Sequence, residues 1–162
     1  MSRQEAMEQY CKSMRKGRKE YKSCVLQGRY PYPHALDEFL TEVMTAGQVE
    51  LGLVEIPLDQ VAGTKTQGRQ SSFSPDFMPM LDPDTEFALK WMDLCEAHLG
   101  DEGIREPIKC YEYLGRFYVQ EGNKRVSVLK SYQSPTIPAM VIRMIPIWSA
   151  EPEILAYYEF ME

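Results

Sequence analysis

The chain has 162 residues, of which 44% are hydrophobic and 26% charged, and its formal net charge at pH 7 is −6. This length and composition predict one well-buried domain, with or without an appendage, and exclude a largely disordered chain. No apolar run approaches the roughly 20 residues that a membrane-spanning helix needs, and the polar N-terminus lacks a signal-peptide core. We therefore expect a soluble cytoplasmic protein that makes no membrane contact.

Charge is distributed unevenly along the chain. Residues 1–30 carry eight Lys or Arg against three acids, a net of +5, whereas residues 31–162 carry a net of −11. A basic segment of this kind either contacts nucleic acid or forms a solvated helix beside the acidic remainder. Because the chain as a whole is acidic, any contact with DNA is expected to be weak or indirect.

The N-terminal part of the chain is predicted to form two amphipathic helices. Apolar residues of the first helix recur with i, i+3, i+4, i+7 spacing from Met7, and Gly28 is expected to end it. The second helix is expected to end near Gly47 and has an apolar face made by Leu36, Phe39, Leu40, Val43 and Met44. Their short connection predicts an antiparallel helical hairpin that packs on the domain that follows.

The remaining pattern predicts strands and two further helices. A strand is expected over residues 49–61, and a helix is expected to end at Gly100. A hairpin that turns at Leu114-Gly115 and a strand from Ile137 to Ile145 are expected to follow. If the strands on either side of the last helix are parallel neighbours, a right-handed crossover joins them. The fold class predicted is therefore α+β, with a small mixed β-sheet and flanking helices, preceded by the two-helix extension.

Several motifs argue against common chemistries. The cysteines and histidines lack the spacing of a zinc site, and His98 lies on an apolar helix face, which favours a packed histidine over a base or ligand. The loop from Gly63 to Ser74 approaches a P-loop, but Arg69 and Gln70 stand where that motif needs lysine and a hydroxyl residue. A Walker-type NTPase is therefore excluded, and Arg69 is either an anion ligand or a structural arginine.

The most informative stretch is 118–132, where a β-rich run turns at Gly122-Asn123 and opens into an apolar-periodic helix. The first N–H groups of such a helix have no acceptor within the helix, and they favour an anion such as phosphate. Lys124 and Arg125 add full positive charge at the same place. The alternative interpretation is an ordinary strand-turn-helix junction.

Three segments, in this order, resemble conserved stretches of the ParB/sulfiredoxin-like superfamily. They are residues 54–61 followed by Arg69, the Glu-Pro-Ile opening at 106–108 with the strand and Glu-Gly-Asn-Lys-Arg turn after it, and the closing stretch 137–143. The resemblance divides the chain into an N-terminal helical extension (1–48), a ParB/sulfiredoxin-like domain (49–147) and a C-terminal segment (148–162). The last segment is rich in large apolar residues, so we expect something to cover them: the segment folds back on the core, pairs with another copy or leads into a further domain, and the last two are favoured over a free tail.

The resemblance also implies a ligand. In that superfamily the turn that matches Gly122, Asn123, Lys124 and Arg125 binds the phosphates of a nucleotide, which makes Arg125 our first candidate and Arg69 our second. Relatives use CTP, or ATP with magnesium, and the same ligands are implied here. Sulfiredoxin activity needs a cysteine at the position of Asn123, so it is not expected, whereas slow NTP hydrolysis stays open.

Two functions are consistent with these patterns. The first is a regulatory nucleotide-binding module, part of a DNA-associated or transcriptional regulator, for which Arg125→Ala is expected to weaken binding more than the fold. The alternative is a protein-interaction domain that keeps the fold without ligand binding, and either function is compatible with a protein partner or self-association. A nuclease is not favoured, because the sequence offers no compact set of acids and histidines for magnesium.

Overall fold

A computed structural model of the chain describes residues 2–101 and 103–161 and has α+β architecture, as predicted. Within these ranges the helices are α1 (Ser2–Leu26), α2 (Leu36–Phe39), α3 (Glu86–Leu99), α4 (Asn123–Ser131) and α5 (Pro152–Met161). The strands are β1 (His34–Ala35), β2 (Thr45–Pro57), β3 (Val61–Thr64), β4 (Ile108–Tyr113), β5 (Arg116–Glu121) and β6 (Thr136–Pro146). None of the helices described is both long and apolar enough to cross a bilayer.

The six strands form one mixed sheet in the order β1-β3-β5-β4-β6-β2. The strands β1, β3 and β5 are mutually parallel, β4 is antiparallel to β5 but parallel to β6, and β2 is antiparallel to β6. The β4–β5 hairpin turns at Leu114 and Gly115, whose φ angles of 52° and 83° suit a two-residue turn, which confirms the predicted position. The strands that flank α4 are not neighbours, because β4 lies between them, so no simple crossover joins them.

A layer of three helices, α1, α3 and α4, covers one face of the sheet. Trp91 of α3 is at its centre, where it contacts the Tyr10 ring edge-on at 5.2 Å and donates a 2.8 Å hydrogen bond to Ser127 Oγ of α4. All three side chains are buried. The first helix therefore belongs to a buried cluster that it forms with α3 and α4. It does not pair with a second helix, so the predicted helical hairpin is wrong.

The opposite face is crossed by residues 36–44, which we call the strap. Instead of the long second helix that was predicted, the strap contains one α-helical turn, Leu36–Phe39, and a 3₁₀ turn, Glu42–Met44. Its buried Leu36 and Leu40 pack on Tyr118 of β5. The chain then enters β2 at Thr45 and pairs with β6 as far as Pro57, so the strand begins earlier than expected. The strap thus connects the strands at the two edges of the sheet.

The C-terminal segment folds back as α5 beside the end of β6. The Tyr158 hydroxyl donates a hydrogen bond to the carbonyl of Pro146, and Arg143 Nη1 lies 4.0 Å from Met161 Sδ. None of the described residues of α5 is buried, and Phe160 remains 87% exposed. The exposed aromatic surface, which also includes Trp148, fits the expected contact with another copy or domain. That contact stays a prediction.

Candidate anion-binding cleft

The junction between β5 and α4 forms the strand-turn-helix geometry expected from the sequence. Gly122 is the N-cap of α4 and has φ 113° and ψ 25°, a left-handed conformation that side chains rarely adopt. A Cβ atom there would overlap Ile108 Cγ2 and lie 3.0 Å from Ile108 Cβ. Glycine thus allows the chain to turn tightly against β4, and α4 begins with its first N–H groups at the end of the sheet.

These N–H groups border a cleft of about 710 Å³. Its walls are the end of β5, the first turn of α4, the loop after β3 and one side of α3. The cleft brings together all five residues that the sequence singled out as phosphate ligands, namely Arg69, Gly122, Asn123, Lys124 and Arg125. It also includes Lys90 of α3, which the sequence analysis did not select.

Positive charge from three separate elements converges on this cleft. Arg69 comes from the loop after β3, Lys90 from α3 and Lys124 from α4. Burial lowers the pKa of the Lys124 ammonium from its ordinary value of 10.5, and the nearby charges of Arg69 and Lys90 lower it further. Lys90 also forms an exposed pair with Glu86 at 3.0 Å, and the Glu86 carboxylate offsets part of this positive charge, because it raises the pKa of Lys124. The cleft is therefore electrostatically suited to an anion.

Arg125 has a structural contact that the sequence did not indicate. Its Nη1 donates hydrogen bonds of 3.0 and 2.9 Å to the carbonyls of Glu106 and Pro107, in the segment that leads into β4. The guanidinium thus joins the start of α4 to the neighbouring strand while it lines the cleft. Arg69 and Lys124 consequently become the main candidates for direct anion contact.

Replacing Arg125 by alanine is expected to lower the free energy of unfolding by about 1.5–3 kcal/mol, because two charge-assisted hydrogen bonds are lost. A loss of this size would show that Arg125 stabilises the fold, whereas its role in binding stays a prediction. Urea denaturation would measure the change, and Arg116→Ala, at an exposed arginine of β5, is the matched control. Equal stability of the two variants would contradict the anchoring contact.

Asn123 contributes an unusual buried acceptor. Its Oδ1 atom is buried and has no hydrogen-bond partner among the residues that the structure describes. A buried acceptor without a donor is energetically costly.

Acids near the cleft are already paired with cations. Asp93 accepts a 3.0 Å hydrogen bond from Arg3, and Glu121 lies 3.4 Å from Lys109 Nζ. The described ranges contain no group of three or more His, Cys, Asp or Glu residues that could hold a metal ion. Magnesium would therefore have to be held chiefly through the phosphates of a bound nucleotide, as is common for this ion.

His98 lies outside the cleft. Its ring packs against Tyr132 at 4.9 Å, and burial lowers the pKa of its imidazole. This is the packed histidine that the apolar helix face predicted.

Comparisons with the models of known protein families and with curated proteins found no match. The class of protein that the structure defines is therefore an α+β protein with a six-stranded mixed sheet and a cationic cleft at a helix N-terminus. The resemblance to the ParB/sulfiredoxin-like superfamily stays a hypothesis.

Proposed function

We propose that the cleft binds the phosphate groups of a nucleotide and that the protein is a regulatory nucleotide-binding module, part of a DNA-associated or transcriptional regulator. The observation that carries the proposal is the convergence of Arg69, Lys90 and Lys124 at the N-terminus of α4. Cations held close together repel one another, and a bound phosphate offsets this repulsion because each cation is attracted to it. The helix N–H groups add directional donors for the same oxygens.

The dimensions and chemistry of the cleft agree with this ligand class. A volume of about 710 Å³ lies within the range of small-molecule sites. The Phe87 ring, over which Lys124 Nζ lies at 5.3 Å, offers an apolar wall beside the charges. The sequence resemblance suggests CTP, or ATP with magnesium. Asn123 stands where sulfiredoxin chemistry requires cysteine, so a binding role is favoured over that activity.

A thermal-shift panel of CTP, ATP, GTP and UTP, each with and without magnesium, tests the proposal. A nucleotide at about 100 times its dissociation constant should stabilise the protein by about 2.7 kcal/mol. Calorimetry with the best nucleotide then gives the affinity. Absence of binding at millimolar nucleotide would overturn the proposal.

Nucleotide affinity is expected to fall as pH rises through the pKa of Lys124. In the free protein this pKa lies below 10.5, and a neighbouring phosphate raises it because it stabilises the ammonium. Binding therefore takes up a proton when the pH lies between the two values. Affinity is greatest below the free-protein pKa and declines until the pKa of the complex is passed.

Calorimetry with CTP or ATP across this alkaline range measures the decline. Lys124→Arg is the matched control, since arginine stays charged and should give a nearly flat profile. An equally steep decline in wild type and in this variant would show that another group is responsible.

A second candidate function, the protein-interaction domain without a ligand, rests on different observations. Arg125 Nη1 is occupied by two backbone carbonyls, and Trp148 and Phe160 are exposed on the C-terminal segment. Both features are consistent with a domain that binds other proteins through its surface. Failure of every nucleotide in the panel, together with concentration-dependent self-association, would favour this function.

A further inference from the structure

The outward face of α1 carries a row of positive charge, which we call the basic stripe. It consists of Lys12, Arg15, Lys16, Lys19 and Lys22, all of them exposed. With 3.6 residues per turn these positions fall on about one third of the helix circumference, and with 1.5 Å rise per residue they span about 15 Å. No acid interrupts this face between the first and the last of them.

The helix that carries the stripe is firmly seated. On its opposite face Ala6, Tyr10 and Gly17 are buried. A Cβ atom at Gly17 would lie 2.7 Å from the carbonyl oxygen of Pro79, so α1 approaches that segment at backbone distance. Because the inner face is fixed, the helix face that carries the stripe keeps one orientation relative to the rest of the protein.

Among the residues that the structure describes, no acid forms a salt bridge with the stripe. Within residues 2–101 and 103–161, the salt bridges made by α1 come from Arg3 and Arg18, and none comes from the stripe. The helix dipole does not explain the position of these cations either. A dipole favours cations in the last turn of a helix, and α1 has none there.

An exposed aromatic cluster follows α1 in the chain, after the C-terminal end of the stripe. The Tyr30 and His34 rings stack at 4.9 Å, Tyr30 is 39% exposed, and Tyr32 links the group to Tyr21 of α1. Aromatic rings beside a row of cations are the combination on which unpaired bases stack while their phosphates are neutralised. An acidic protein partner would pair with the cations but would not require the stacked rings.

We propose that the basic stripe binds the phosphodiester backbone of a nucleic acid without sequence preference, and that the aromatic cluster stacks bases where the strand is single. This surface lies on α1 and is separate from the cleft, so the proposal does not depend on nucleotide binding there. The net charge of −6 opposes association, so binding is weak and strongly dependent on salt.

Fluorescence anisotropy with labelled nucleic acid of mixed sequence tests this, with one single-stranded and one duplex probe in KCl from about 20 to about 200 mM. If all five cations engage, log K against log salt should have a slope of about −4.5 for the duplex and about −3.5 for the single strand. Tyr30→Ala should weaken binding of the single strand and leave the duplex unaffected.

The decisive comparison uses two double variants that change net charge equally. Lys16→Gln/Lys19→Gln removes stripe residues and should reduce the duplex slope by about 1.8 and weaken low-salt binding at least tenfold. Lys109→Gln/Arg116→Gln, at exposed positions away from α1, should keep the wild-type slope.

Equal losses in the two variants would overturn the proposal, because net charge alone would then explain the effect. Absence of binding to both probes at the lowest salt would overturn it too. If the stripe variant instead abolished self-association in sedimentation, the occupant would be the acidic surface of a second copy, and the nucleic-acid assignment would be wrong.

Discussion

Replacing Arg69 and Lys124 together by glutamine is expected to weaken nucleotide binding by about 3 kcal/mol or more, which is at least a hundredfold. Each side chain offers a charge-assisted contact to phosphate, and such contacts contribute about 1.5–3 kcal/mol each. Both residues line the cleft from different elements, so their loss leaves Lys90, Arg125 and the helix N–H groups to hold the anion. Isothermal calorimetry with the best nucleotide of the panel measures the change.

The fold of this double variant should be intact. Removing two cations that repel each other and Lys90 relieves an unfavourable interaction, so the free energy of unfolding without nucleotide should stay the same or rise. The variant Lys16→Gln/Lys19→Gln has the same change in net charge at exposed positions of α1, away from the cleft, and should bind nucleotide normally. Unchanged affinity in the cleft variant would remove these side chains from the site.

Gly122→Ala is expected to destabilise the protein by about 2–6 kcal/mol. Alanine at φ 113° is strained by about 1–3 kcal/mol, and forcing a methyl group into a packed region adds about 1–3 kcal/mol. The new Cβ would overlap Ile108, which is fully buried and therefore has little room to move. Because α4 begins at this residue, nucleotide binding should weaken along with stability.

Gly115→Ala is the matched control for this substitution. Gly115 also has a positive φ, 83°, but a Cβ there would meet no heavy atom within 4 Å. Gly115→Ala should therefore lower the free energy of unfolding through backbone strain alone, by about 1–2 kcal/mol. If urea denaturation showed the same loss for both variants, the close approach of Gly122 to Ile108 would not matter.

The parts of the fold that the sequence predicted well are those fixed by local chemistry. The turn at Leu114-Gly115 and the junction at Gly122-Asn123 depend on residues that tolerate positive φ or begin a helix. The second helix was predicted wrongly because the spacing of Leu36, Phe39 and Leu40 suits a helix, whereas pairing of β2 with β6 requires an extended chain from Thr45. Periodicity within a segment carries no information about a partner strand almost a hundred residues away.

The candidate site was predictable only in part for the same reason. Arg69 and the turn residues were found through local motifs and resemblance. Lys90 was missed, because a lysine four residues after Glu86 has the pattern of a solvated helical pair, and only the packing of α3 brings it to the cleft. The hydrogen bonds of Arg125 were not predicted either. Their acceptors are backbone carbonyls, which every residue has, so residue types do not indicate them.

The strap has a length that matches the width of the sheet. It starts after β1 at one edge and ends at β2 on the other, so it passes five inter-strand spacings, about 24 Å in all. From Cα of Ala35 to Cα of Thr45 the chain makes four α-helical steps, three 3₁₀ steps and three extended steps, which together reach about 22 Å. The strap is therefore nearly fully extended between the two edge strands. Shortening it by one or two residues between 41 and 44 would pull β1 away from β3, whereas lengthening it would only let it bow outward.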